Sequence, residues 1–277
     1  MTRRDLIYEH LMASVETRFE PQYRPPAPGA VGAHLSIVIP TWNGGSQLSA
    51  TLQHLVEFRA ALNFQTEIVV VDDCSEQSTA RVVEHFAADN DSTLILRNDT
   101  NRGKGHAVAK GMLNATGAFR IFVDCDLAYP SSQITKLLRR LESGSDVVIA
   151  CRVLPESRYV MSPTFFHYLY TRHVMSRLFN RLAQRLLLPG ILDTQAGLKG
   201  FTAHAAQTIF SRQTLCGFGF DLECLFIARS HNFLIDQMPV DFHYGDEPST
   251  ISFVKHGGEM LMDLIRVRRN SARGIYA

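Results

Sequence analysis

Asp124-Cys125-Asp126 stands at the end of an apolar run, FRIFV, and Pro130 closes the stretch four residues later. Two carboxylates one residue apart repel each other unless a cation or a hydrogen-bond donor lies between them. Mg²⁺ or Mn²⁺ is the simplest such guest, because these hard ions take carboxylate oxygens and complete their shells with water and phosphate oxygens. Asp-x-Asp alone also describes two solvated or capping aspartates. Its setting raises it: NRGKGHAVAKGM (101–112) puts Gly103, Lys104 and Gly105 in a loop that opens a helix, where backbone N–H groups and a lysine can meet phosphate. The loop is not a Walker A motif, since residue 98 is Asn and residue 105 is Gly, nor a dinucleotide fingerprint, since residue 108 is Val.

These residues need a scaffold that brings strand ends together. LSIVIP (35–40), EIVVVDD (67–73), TLILRN (93–98), FRIFVDCD (119–126) and DVVIACR (146–152) are apolar runs of strand length, and helices are expected between them over 46–62, 77–89, 104–115 and 131–143. Alternation of this kind predicts an α/β fold, a Rossmann-like, mostly parallel sheet flanked by helices. Pro40-Thr41-Trp42-Asn43 and Asp72-Asp73-Cys74-Ser75 then join the Asp-x-Asp pair on one edge of the sheet, where ligands bind such folds. Trp42 is placed to stack on a base or simply to pack.

Residues 1–33 are expected to be a leader, with a helix over 5–20 followed by a proline-rich linker; residues 34–250 form the main domain, and 251–277 a basic amphipathic helix. The chain is long enough, at 277 residues with 45% hydrophobic content, to bury a full core. No run approaches the roughly 18 apolar residues of a membrane span, and the first twenty residues do not resemble a secretory signal. The five cysteines form no CxxC pair and are expected to be reduced. Location is therefore expected to be cytosolic.

IVIPTWNG, VVVDDCS, NRGKGHAVAKG, VDCD and DTQAGLKGF, in this order over about residues 35–245, resemble the inverting GT-A glycosyltransferases of family 2. Within it the likeness is to the dolichyl-phosphate β-glucosyltransferases and polyprenyl-phosphate hexosyltransferases, with the glucosyl branch favoured over the mannosyl one. The resemblance implies a nucleotide-sugar donor and Mg²⁺ or Mn²⁺. It places Pro40, Thr41 and Asn43 in the nucleoside pocket with Asp72 and Asp73, Asp73 accepting from the base. Lys104 and Gly105 fall beside the nucleotide, and Asp126 and Asp124 at the metal, Asp126 as the more direct ligand. Asp193 and Gln195 would organise the sugar pocket, and Glu223 would be a sugar or loop anchor. The chain departs from the pattern at Gly44, where an acid is usual, and at Leu127, where a small residue is common.

The second half is basic, residues 151–277 holding 14 Lys+Arg against 10 Asp+Glu. Arg177, Arg181 and Arg185 recur at helical spacing within 163–188, beside the apolar stripe Val174, Leu178, Leu182 and Leu186. This cationic amphipathic helix and its counterpart at 259–276 suit a membrane interface with anionic headgroups, or ordinary packing with solvated arginines. A nucleic-acid partner is not expected, since no binding module is recognisable. If the acceptor is a lipid phosphate, already largely dianionic at neutral pH, it needs cations rather than a base; Arg152 and Arg172 are the candidates. A hydroxyl acceptor would need a carboxylate base, to be sought among Asp193, Asp221 and Glu223. The expected activity is hexose transfer, glucose from UDP-glucose, to a polyprenyl or dolichyl phosphate. The alternatives are a GDP-mannose-dependent enzyme, a transferase to soluble hydroxyls, and a nucleotide-sugar-binding protein without turnover, at which Gly44 hints. His106, His167 and His243 lack ligand spacing and are read as ordinary surface or core histidines.

Overall fold

The computed structural model describes residues 32–88, 90, 93–126, 128–160, 166–243 and 253–277; the expected leader helix and linker lie outside them. Seven strands make one sheet: β1 (Leu35–Thr41), β2 (Thr66–Asp72), β3 (Thr93–Arg97), β4 (Phe119–Val123), β5 (Val147–Cys151), β7 (Leu198–Thr202) and β8 (Ile235–Pro239), in the order β3-β2-β1-β4-β7-β5-β8. Two short strands, β6 (Arg158–Val160) and β9 (Asp241–His243), pair beside it. The helices are α1 (Gly45–Ala60), α2 (Gln77–Ala88), α3 (Lys104–Asn114), α4 (Ser131–Glu142), α5 (Phe166–Leu186), α6 (Ala203–Phe210), α7 (Phe220–Ser230) and α8 (Phe253–Ala272).

The continuous apolar strands are explained by two cores, one on each face of the sheet. In β1 and β2, Leu35, Ile37, Ile39, Ile68 and Val70 enter one core while Val38, Val69 and Val71 enter the other. Successive side chains alternate across the sheet, so a strand covered on both sides must be apolar throughout. Pro40 is tolerated because β4 pairs with β1 only from Leu35 to Val38, leaving Pro40 opposite β2 alone.

The sheet departs from the expected pattern at β7, which lies antiparallel between β4 and β5. LKGFT, with a lysine and a glycine at its centre, does not read as a buried strand, yet all but its last residue are buried. The final helix packs on the sheet's helical layer: Leu264 and Val267, with Tyr276 just beyond its end, belong to the same core as Val38 and Val108. In α5 the core takes Asn180 and Ala183, and of the expected stripe Leu182 packs against it while Leu178 and Leu186 face outward, 58% and 44% exposed.

Candidate active site

Parallel pairing of β1 with β2 and β4 puts Thr41, Asp72 and Asp124 on the same edge. The loops beyond are tied together. Asp73 N donates to Thr41 O at 2.9 Å and Asn98 N to Asp72 O at 2.9 Å. Asn43 N donates to Ser75 Oγ at 2.8 Å, and Asn43 Oδ1 accepts from Glu76 N at 2.8 Å. Asn43 and Cys74 both adopt left-handed backbone, φ 53° and 62°. Such conformations persist where surrounding contacts over-determine them, and they concentrate at binding sites.

Asp73 clamps the phosphate-loop candidate. Its Oδ1 accepts from Asn98 Nδ2 at 2.7 Å and Arg102 N at 2.9 Å, and its Oδ2 from Gly103 N at 2.7 Å. Three of its four acceptor positions are thus committed to the loop, which leaves one for the base contact expected of it. Asp72 is committed as well, with Oδ1 accepting from Ser75 N and Oδ2 lying 2.9 Å from Arg97 Nη1. Asp72, expected in the substrate pocket, anchors a turn and is 1% exposed. Gly103 holds φ 97°, and a Cβ there would lie 2.5 Å from Cys216 O, so only glycine lets the loop turn at this point.

The turn delivers Lys104 to Asp124, Nζ to Oδ1 2.6 Å. Burial alone would lower the lysine pKa, but Asp124, Asp221 and Asp126 outweigh it and raise it above its ordinary value. Asp126 stands at the rim, and the protein packed around it together with the like charge of Asp124 raises its pKa. Asp124 rests on Gly197: a Cβ there would stand 2.0 Å from Asp124 Oδ2. Among the described residues no three potential ligand side chains cluster, so a divalent cation here would draw on two hard carboxylates, with phosphate and water completing its shell. That donor set fits Mg²⁺ or Mn²⁺, held by Asp126 and Asp124. The ion would stabilise charge on a departing diphosphate.

Below this site Lys199 is fully buried and paired with Asp221, Nζ to Oδ1 2.6 Å, while also donating to Ala196 O at 2.6 Å. Burial raises the Asp221 pKa despite this pairing with Lys199. The sequence reading offers Arg152 to an acceptor phosphate and Asp193 to the sugar or to base catalysis; the structure turns them to each other. Arg152 Nε and Nη2 donate to Asp193 at 2.7 and 2.9 Å, and Arg152 N adds a third bond at 3.0 Å. Burial works to raise the Asp193 pKa, but Arg152 prevails and holds it below its ordinary value. The two expected catalytic residues thus meet in a bidentate pair. Glu223 accepts from Thr214 N and Leu215 N and so is placed as a loop anchor. Gln195 sits beside α8, its Nε2 3.6 Å from Met260 Sδ. Arg172 lies on α5 where side chains fall outside the description, and Leu127 lies outside the described residues.

Among the described residues three hydroxyls are buried without a hydrogen-bond partner, Thr41 Oγ1, Thr93 Oγ1 and Tyr129 OH, and Thr41 and Tyr129 belong to this region. Thr41 was legible from its strand end. Tyr129, three residues beyond Asp126, carries no sequence signal, whereas Gly197 and Lys199 stand in the DTQAGLKGF motif but their contacts with Asp124 and Asp221 are not legible there. A cleft of about 560 Å³ also borders the loop, but its lining (Arg97, Asn98, Arg102, His106 and Lys110 among it) includes none of Thr41, Asp124 or Asp126.

This arrangement is that of an α/β protein presenting acidic residues and a lysine, paired with Asp124, at the carboxyl edge of its sheet. The family model for glycosyl transferase family 2 matches residues 36–210, and the chain belongs to that family. It is a nucleotide-sugar-dependent glycosyltransferase of GT-A fold. The dolichyl-phosphate beta-glucosyltransferase of Dictyostelium discoideum is 29% identical over 253 residues, covering 88% of this chain and 76% of that one. Its namesake in Saccharomyces cerevisiae is 28% identical over 255 residues, covering 87% and 76%. In fold the chain is similar to glucosyl-3-phosphoglycerate synthase of Mycobacterium tuberculosis, solved with Mn²⁺, UDP-glucose and phosphoglyceric acid (TM-score 0.64, 14% identity, 89% of this chain and 86% of that one).

Proposed function

We propose that this protein transfers glucose from UDP-glucose to a polyprenyl or dolichyl phosphate, with inversion, using Mg²⁺ or Mn²⁺ at Asp126 and Asp124. The observation that carries the acceptor class is the state of the carboxylates. A hydroxyl acceptor needs a base, and the three acids that could serve are engaged: Asp193 by Arg152, Asp221 by Lys199, Glu223 by the 214–215 backbone. A phosphate acceptor brings its own nucleophilic oxygen, and a single in-line attack inverts the anomeric carbon. The names of the dolichyl-phosphate relatives point to the same acceptor.

Lys104, at the start of α3, would hold the donor diphosphate, and Thr41, Asn43 and Gly105 would line the nucleoside side. Gln195 would face the sugar, and Arg172 the acceptor phosphate. No helix among the described residues is long and apolar enough to cross a membrane. Contact with the lipid falls instead to the outward faces of α5 and α8, where Met175, Leu178, Leu261, Met262 and Ile265 are about half exposed or more. Arginines 177, 181, 185, 268 and 269 share these faces and complement anionic headgroups. The protein would then work as a peripheral enzyme on the cytosolic side of a membrane.

The test is transfer of labelled sugar into an organic-extractable lipid from UDP-glucose and GDP-mannose in parallel, with and without the metal. Metal-dependent label from UDP-glucose is expected, with a loss of about a thousandfold in Asp126→Ala, the scale of several kcal/mol that a catalytic cation supplies. Label from GDP-mannose alone makes the enzyme a mannosyltransferase. Binding of either donor with no turnover on any acceptor contradicts the transferase reading.

A further inference from the structure

The loop that carries Lys104 is supported from behind by residues 213–217, and these are held by the residues that follow α8. Cys216 O accepts from Gly105 N at 2.7 Å and His106 N at 3.3 Å, while Gln213 Nε2 donates to Gly105 O at 2.9 Å. On the other side Glu223, fully buried, accepts from Thr214 N at 2.9 Å, Leu215 N at 2.7 Å, Thr214 Oγ1 at 2.5 Å and Tyr276 OH at 2.7 Å. Four donors fill the lone pairs of one carboxylate, which makes its geometry rigid. Tyr276 is 3% exposed, its ring is 5.9 Å from that of Phe226, and its hydroxyl accepts from Asn270 Nδ2 at 3.2 Å. Its carbonyl oxygen pairs with His231 Nε2 at 2.8 Å, so both ends of the residue are fixed.

We propose that Tyr276 is a positioning residue for donor binding: through Glu223 it sets the 213–217 loop, and through Cys216 O that loop sets the Gly103–Gly105 backbone that aims Lys104. The path runs from the last turn of the chain to the diphosphate without touching substrate. It rests on the nucleotide-sugar reading above. It explains why an acid in the first turn of α7 is wholly buried rather than solvated at the helix end, where its charge is also favoured.

The experiment is calorimetric binding of UDP, with GDP in parallel, in the presence of Mn²⁺ to the full chain and to Tyr276→Phe, Glu223→Gln and the double variant, with thermal melts of each. Tyr276→Phe is expected to weaken UDP binding about fivefold, the scale of one hydrogen bond, and Glu223→Gln more. The double variant is expected to be no weaker than Glu223→Gln, because the tyrosine acts only through the glutamate. In turnover the donor KM rises while the acceptor KM holds. The proposal is overturned by wild-type affinity in folded Glu223→Gln, or by a tyrosine effect that adds in full to the glutamate effect. If Glu223→Gln does not fold, Thr214→Val, which removes one of the four donors, takes its place, and wild-type affinity in it and in Tyr276→Phe overturns the proposal. A wild-type chain that binds neither nucleotide overturns the donor-site reading itself, and this proposal with it.

Discussion

The donor side and the acceptor side of the sheet edge are held by different means. Around β1, β2 and α3 the fixing is done by backbone: Asp73 gathers N–H groups of the 98–103 loop, and strand-end carbonyls take the next residues' amides. Around β5 and β7 it is done by ion pairs that bury their carboxylates, Asp193 with Arg152 and Asp221 with the fully buried Lys199, joining residues 41 and 22 positions apart. On the donor side Arg97 pairs with the buried Asp72 to anchor a turn, whereas Lys104 and Asp124, the pair that faces the site, are both partly exposed, 24% and 30%. The difference separates function from support. A pair that must open to admit a ligand stays near solvent, whereas a pair that only fixes geometry can be sealed, since a sealed charge costs several kcal/mol once its partner leaves.

The sharpest way to break this contrast is to remove one partner of each kind. Arg152→Met or Asp193→Asn is expected to cost about 3–5 kcal/mol of stability in urea or thermal unfolding, because a buried charge or its designed partner is left alone. The pH dependence follows from the depressed Asp193 pKa: its contribution is full above the unfolded value of about 3.9 and is lost as pH falls through the folded value below it. Asp193→Asn should flatten that acid limb. If either variant unfolds like the wild type, the pair is not the support described.

Lys104→Met should do the reverse. Its stability cost is expected to be small, because the pair is partly exposed, while UDP affinity falls about tenfold to a hundredfold with loss of one charge-assisted contact to phosphate. Comparable nucleotide affinity in Lys104→Met and wild type would remove the lysine from the donor site. Weaker still, and confined to the outer face, is the effect of single arginines on α5. Arg177→Gln, Arg181→Gln and Arg185→Gln are each expected to lower binding to vesicles rich in anionic lipid by about 1 kcal/mol, and salt should erase the difference. Equal binding by all three would assign that face to something other than a lipid surface.

The donor side was the legible one. Its strands are apolar runs that stop on Thr41, Asp72 and Val123, and its loop announces itself through Gly103, Lys104 and Gly105. Alternation of strand and helix alone implies that these ends share an edge. The acceptor side was not legible for two physical reasons. β7 carries Lys199 at a position buried on every side, and nothing local tells that its charge is met by Asp221 from another helix. Arg152 and Asp193 carry the chemistry of a phosphate site and of a base, but each owes its role to a partner that only the fold supplies. The stripe on α5, read as an interface face or a packing face, is split: Leu182 packs against the core and Leu178 and Leu186 face outward, while the helix is anchored through Asn180 Oδ1, which accepts from Thr194 N and Oγ1, and through Ala183.

The central claim is that the acceptor supplies its own nucleophile, so that no carboxylate base is needed. The direct measurement is sugar transfer from UDP-glucose, with Mn²⁺, to polyprenyl phosphate and to the matching polyprenol across pH 5–8. The account expects label in the phosphate lipid, rising with its second ionisation near pH 6, and none in the alcohol. Glycosylation of the alcohol at a comparable rate would contradict it, and would require a free base where Asp193, Asp221 and Glu223 are all engaged.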